Sequence, residues 1–158
     1  MAIRKIRIEG DPILNKISKE VTAMTHRNQE LIEDMLDTMY DANGVGLAAP
    51  QIGVLKRIVV IDVSEEGDEP MVLINPVIIE KDGEQTGSEG CLSVPGKHGV
   101  VTRAEHVICK ALDENMQERE IEGTGLLARA IQHELDHLEG IIYTSKVEGE
   151  IMDNAEEE

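Results

Sequence analysis

The segment Gln132-His133-Glu134-Leu135-Asp136-His137 holds the pattern H-E-x-x-H. Residues four apart share a helix face, so His133 and His137 can offer imidazoles to one metal ion while Glu134 poises a water beside it. So short a pattern also arises by chance, in which case it marks two buried histidines with satisfied hydrogen bonds. A catalytic metal takes three protein ligands and keeps one position open for water. No histidine follows His137, and the carboxylates beyond it are Glu139, next to the predicted helix end, and those of an acidic tail that would hold a ligand poorly. Upstream, Glu89-Gly90-Cys91-Leu92-Ser93 places a thiol in a glycine-flanked turn. One thiolate and two imidazoles leave the fourth tetrahedral position to water, so Cys91, His133 and His137 are the candidate ligands. Glu89, Arg103 and Asp136 are candidate charges for holding those ligands in place. His26, His98 and His106 are not paired at ligand spacing and read as surface or strand residues.

The elements that must position these groups follow from the apolar pattern. Thr25 precedes Leu31, Ile32, Met35, Leu36 and Met39, the stripe of an amphipathic helix of about four turns that stops at Asn43-Gly44. Residues 44 to 53 read as a glycine-rich loop, and Arg57 to Val63 as a β-branched strand. Short strands are predicted at Met71–Ile74 and Val77–Glu80, separated by Asn75-Pro76, then near Val100–Thr102, at 106–112 and at 117–122. A second helix spans 124–138, opened by Thr124 and closed by Gly140, and its apolar residues on almost every side require burial against the strands. The fold class is α+β, with short, mostly antiparallel strands packed around a buried C-terminal helix that carries H-E-x-x-H. A chain of this length holds one core, and the reading is a single catalytic domain over residues 1–146 followed by an acidic, frayed tail over 147–158.

Composition narrows the partners. The chain has 158 residues, 41% of them hydrophobic, but Tyr40 and Tyr143 are its only aromatic residues, so Ile, Leu, Val and Met must fill the core. A net charge of −17 repels phosphate backbones and anionic membranes, which argues against direct nucleic-acid or membrane binding. MAIRKIRIEGDP has no apolar run long enough for a signal peptide, and no stretch approaches a membrane span, so the expected location is cytoplasmic. Cys109 alternates with Val107 and Ala111 on one strand face and reads as a small buried hydrophobe.

Three segments, Gly44-Val45-Gly46-Leu47-Ala48-Ala49-Pro50-Gln51, Glu89-Gly90-Cys91-Leu92-Ser93 and Gln132-His133-Glu134-Leu135-Asp136-His137, resemble in order and spacing the signature motifs of the peptide deformylase family. The resemblance continues through RIVVID, LINP, SVPG, RAEHV and GLLARAIQHE. It implies a hydrolase that removes the N-formyl group from the N-terminal methionine of newly made polypeptides and releases formate. It also implies one divalent metal ion per chain, Fe(II) first, with Zn, Ni or Co as alternatives. Imidazole and thiolate do not choose among these.

Hydrolysing a formamide needs an activated water, stabilisation of the developing oxyanion and a proton for the leaving amine. A metal held by Cys91, His133 and His137 would lower the pKa of its bound water, and Glu134 would take the proton and return it to the amine. The resemblance places the Gln51 side-chain amide and the Leu92 backbone N–H at the oxyanion. It also implies that Val45, Leu126 and Ala130 line a methionine-sized pocket. Leu126, Ala130, His133 and His137 share one helical face, although Leu126 and Ala130 fit a plain core equally well. Gly44 and Gly46 would let a substrate backbone approach closely. Two departures stand out. Where some relatives carry an arginine against the substrate, this chain reads Gly96-Lys97-His98, and the role of His98 is open. Where some end in a basic helix that docks transiently on the ribosome, this tail is short and acidic. Competing readings are a protease or amidase using the same groups on another amide, and an inactive metal protein whose site is closed by Asp136 or Glu89.

Overall fold

The structure, a computed structural model, describes residues 2–154. In chain order its elements are α1 (His26–Asp41), β1 (Gly46–Ala48), β2 (Ile58–Ile61), β3 (Met71–Asp82), β4 (Gln85–Cys91), β5 (Val94–Arg103), β6 (His106–Leu112), β7 (Glu118–Thr124), α2 (Gly125–Leu138) and β8 (Glu148–Asp153), with short 3₁₀ turns at Pro12–Asn15, Ala49–Ile52 and Tyr143–Lys146. The class is α+β, and every strand pairing is antiparallel.

The larger sheet has the order β1-β2-β3-β6-β7 and is covered on both faces. Ile58, Val60, Val72 and Ile74 pack with Leu31, Ile32, Met35 and Met39 of α1. Val59, Ile61, Leu73, Val107, Cys109 and Ala111 pack with Ala128, Ile131, Leu135 and Leu138 of α2. This two-sided burial is why β2 is apolar at every position, the pattern of a central strand rather than of a half-solvated one. Cys109 sits on the α2 side beside Val107 and Ala111, as its alternation predicts. α1 begins where Thr25 accepts a hydrogen bond from the Asn28 N–H at 3.1 Å, an N-cap of the expected type.

The smaller sheet, ordered β4-β5-β8, carries the cysteine. Cys91 is the last residue of β4 and pairs with Val94, so Leu92 and Ser93 form the turn between β4 and β5. Tyr143 and Ile142, just beyond α2, pack with Leu14, Val94 and Val101 and join this sheet to the helix.

Four expectations need correction. The predicted loop at 44–53 contains β1 and a 3₁₀ turn, because Leu47 and its neighbours find partners on β2. The two strands predicted on either side of Asn75-Pro76 are one strand with an irregularity between Ile74 and Val77, where Asn75 takes φ 51 and its side chain bonds both the N–H and the carbonyl of Val21 at 2.8 Å. β4, rich in glycine and polar residues, lacks a strand pattern of its own and is held by its ladder with β5. Finally, the expected fraying from residue 147 fails over Glu148–Asp153, since β5 offers a second edge and β8 pairs along it. The last four residues of that tail lie outside the described residues.

Candidate metal centre and its cleft

Helix α2 supplies two imidazoles and the β4–β5 turn supplies the thiol. The candidate ligand atoms of Cys91, His133 and His137 all lie within 4.8 Å of one another. Cys91 Sγ is 3.3 Å from His137 Nε2, and the two imidazole rings meet edge to face with centroids 5.1 Å apart. Sulfur and nitrogen bound tetrahedrally to one ion at the usual bond lengths stand about 3.5 Å apart, so the spacing fits a shared cation. Leu135 and Asp136 between the ligands point elsewhere, Leu135 into the core and Asp136 toward Arg103.

A charge network fixes the orientation of His133. Glu89 Oε1 lies 2.6 Å from His133 Nδ1, which leaves Nε2 for a metal. The same carboxylate takes Arg103 Nε and Nη2 at 2.9 and 2.6 Å and Arg129 Nη1 at 2.6 Å, while Arg103 Nη1 reaches Asp136 Oδ2 at 2.8 Å. Glu89 is buried, and burial alone would raise its pKa. Arg103 and His133 overturn that and hold it well below the ordinary carboxylate range. Because Glu89 and Asp136 are engaged this way, neither closes the site as a fourth ligand.

The pocket favours positive charge at the ligand position. Burial works against a charged His133, yet Glu134, Cys91 and Glu89 outweigh it and lift its pKa to about 10. A proton there stands in for a cation, and the same acidic groups favour a metal. His137 moves the other way, to about 3, through burial and the nearby His133 and Arg103. Burial pushes Glu134 up to about 7, with His133 opposing and Glu89 reinforcing the shift. Its Oε1 is buried with no hydrogen-bond partner among the described residues, so one carboxylate oxygen remains for a water.

Gln51 is held in one orientation. Its Oε1 accepts from the Ala48 N–H at 3.0 Å, so Nε2 faces Ser93 Oγ at 3.0 Å and Cys91 Sγ at 3.6 Å. One cleft of about 510 Å³ is lined by Gly44, Val45, Gly46, Gln51, Glu89, Cys91, Leu92, Leu126, Ala130, His133 and Glu134. That volume suits a side chain with its flanking peptide.

The polypeptide deformylase family profile matches residues 3–151. The chain belongs to the peptide deformylase family. It is an enzyme of that family, and relatives and solved structures agree. A peptide deformylase of Lachnoclostridium phytofermentans is 66% identical over 151 residues, covering 96% of this chain and 93% of that protein. The crystal structure of a peptide deformylase from Legionella pneumophila is 51% identical with a TM-score of 0.89, covering 92% of this chain and 86% of that one. A peptide deformylase from Synechococcus elongatus, solved in complex with actinonin, is 41% identical with a TM-score of 0.87, covering 91% and 78%.

Of the candidate site residues, Arg103 and Asp136 lie behind the ligands, His137 is buried beneath Cys91 and is not among the cleft-lining residues, and the others line the cleft. Leu126 is 53% exposed and Val45 44%, so both stand at the cleft's open side and Leu126 is not core, whereas Ala130 is buried. The glycines have a further physical reason. A Cβ at Gly44 would meet Leu92 Cδ1 at 2.7 Å, and one at Gly46 would meet Glu134 Oε2 at 2.5 Å. Sequence reasoning missed Arg129, Ser93 and Tyr143. Arg129 donates to Glu89 and to the Val101 carbonyl at 3.1 Å, and its signal was a lone cation one turn before His133 in the apolar first half of the helix. Tyr143 stacks on His133 with ring centroids 6.0 Å apart, and only its rarity as an aromatic residue could have drawn notice.

Proposed function

We propose that this enzyme removes the N-formyl group from the N-terminal methionine of newly made polypeptides and releases formate. The observation that carries the reading is the convergence of Cys91, His133 and His137 beside a buried Glu134 carboxylate with an unpartnered oxygen, at the deep end of a cleft that Cys91, His133 and Glu134 line. A divalent cation on these three ligands supplies a Lewis acid that lowers the pKa of water and polarises an amide carbonyl. Fe(II) is the proposed ion, and Zn, Ni or Co suit the same donors.

The chain's own residues do the rest. Glu134 accepts the proton of the attacking water at its free oxygen, then passes it to the departing amine as the C–N bond breaks. The charge that develops on the formyl oxygen is met by Gln51 Nε2, turned inward by the Ala48 N–H, and by the Leu92 backbone N–H at the tip of the β4–β5 turn. Val45, Leu126 and Ala130 hold the methionine side chain, and Gly44 to Gly46 offer backbone to an extended peptide. Glu89 and Arg103 keep His133 and Asp136 fixed so that the ligand geometry survives turnover.

The test is formate release from a formyl-Met peptide under anaerobic conditions with Fe(II), beside an unformylated peptide of the same sequence. Formate release without cleavage of the unformylated peptide supports the reading. Cleavage of both makes the protein a peptidase, and turnover of neither makes it an inactive metal protein.

A further inference from the structure

The cleft runs from buried residues at its deep end, Gln51, His133 and Glu134, to an exposed mouth that includes Pro95, Gly96, Lys97 and Asn154. Residues 95–98 form a lobe there. Cys91 pairs with Val94 and Glu89 with Gly99, so these residues fall outside the β4–β5 register. Strand β8 braces the lobe from its other side, setting Asp153 opposite Lys97 and Met152 opposite His98. The Lys97 ammonium is ion-paired with Asp153, and His98 Nδ1 lies 2.5 Å from Asn154 Oδ1. An amide oxygen only accepts, so His98 is the donor in that bond. The carboxamide is thereby oriented, and its Nδ2, which carries two donor protons, has no hydrogen-bond partner among the described residues.

We propose that the end of β8 forms a distal peptide subsite, in which Asn154 Nδ2 donates to a backbone carbonyl of the substrate beyond its second residue. A peptide whose formyl end lies at the deep groups must leave through the mouth, and an extended chain presents carbonyls along both of its edges. The occupant is the nascent polypeptide itself, recognised through its backbone and not its side chains, as suits an enzyme that must accept many sequences. This inference rests on the deformylase reading given above.

The experiment compares kcat/KM for a formyl-Met tetrapeptide with that for a formyl-Met dipeptide in the parent, in Asn154→Ala and in Asn154→Asp. The aspartate keeps the acceptor for His98 and removes the Nδ2 donors. One hydrogen bond is worth about 0.5 to 1.5 kcal/mol, so the tetrapeptide-to-dipeptide ratio should fall about 2- to 10-fold in both variants, through KM. A ratio equal to the parent's in either variant overturns the subsite, and an equal loss on both peptides gives that same unchanged ratio. Failure of the parent to deformylate either peptide would instead strike at the underlying reading, and activity on the tetrapeptide alone would move the comparison to a formyl-Met tripeptide.

Discussion

Glu134 Oε2 occupies the space that a side chain at residue 46 would need, standing 2.5 Å from the Cβ position of Gly46. Strand β1 and helix α2 therefore meet so closely that the Glu134 carboxylate is seated by an absent methyl group. Gly46→Ala should push the Glu134 carboxylate off its line to the attacking water of the proposed mechanism. Misplacement of about 1 Å can cost about 10²-fold in rate, and a loss of that order is expected with metal content retained. Steady-state turnover beside metal analysis checks it, and an alanine variant as fast as the parent would show that the carboxylate has room to move.

Arg103 bridges Glu89 and Asp136 with all three groups largely buried, their side chains 4%, 5% and 20% exposed. Removing one partner of a buried network leaves charge uncompensated and costs about 3 to 5 kcal/mol. Arg103→Leu should lose stability in that range on denaturant unfolding, because Arg129 retains only part of the hold on Glu89. A loss under about 1 kcal/mol would mean that the network is not what holds β4 to α2.

Much of this site was legible in the sequence because its parts are local. The His133 and His137 spacing is a helix property, and the stripes of α1 and α2 announce their buried faces. What escaped is what only tertiary pairing creates. β4 has no strand pattern and exists because β5 pairs with it, so Cys91 was placed in a turn and not at a strand end. β8, all of it exposed and rich in acidic residues, resembles a tail until the free edge of β5 is known. Arg129 was invisible as a partner of Glu89 because no local spacing links residues on different elements.

Glu134 must be ionised to accept a proton, and burial places its pKa at about 7. A cation on the neighbouring ligands favours the carboxylate, which moves this value down. Activity of the metal-loaded enzyme should therefore fall as pH drops, through an acid limb centred below 7. Glu134→Gln should keep its metal and lose about 10²- to 10⁴-fold in turnover, the range for general acid–base catalysis. A pH–rate profile with its acid limb above 7 contradicts the assignment, and loss of metal from the glutamine variant would make Glu134 a ligand.

The two cysteines should separate cleanly. Cys91 meets His137 Nε2 at 3.3 Å, whereas Cys109 lies in the core and its thiol is pushed up to about 11 by burial, far from the form that binds metal. Cys91→Ala should strip or greatly weaken metal binding, and Cys109→Ala should leave stoichiometry intact. Elemental analysis of the two purified variants decides between them, since tightly held metal in Cys91→Ala cannot be reconciled with a three-ligand site.

Gln51 governs the last prediction because both ends of its amide are accounted for. The Ala48 N–H holds Oε1 at 3.0 Å, so Nε2 is fixed toward Cys91 and the acyl position. Gln51→Leu removes the proposed oxyanion donor together with its 3.6 Å hydrogen bond to Cys91, leaves all three ligand side chains in place, and should lower kcat by about 10²- to 10³-fold with metal retained. The loop that would wall the proposed acyl position is closely packed, since Gly44 lies against Leu92 and Gly46 against Glu134 with no room for an added Cβ at either. Formyl presents a hydrogen where acetyl presents a methyl, so the parent should strongly prefer formyl-Met over acetyl-Met peptides. Kinetics on both peptides with both proteins tests the two claims together. Equal rates on formyl and acetyl substrates would remove the steric basis of selectivity, and a Gln51→Leu enzyme as fast as the parent would leave the oxyanion to the Leu92 N–H and the metal alone.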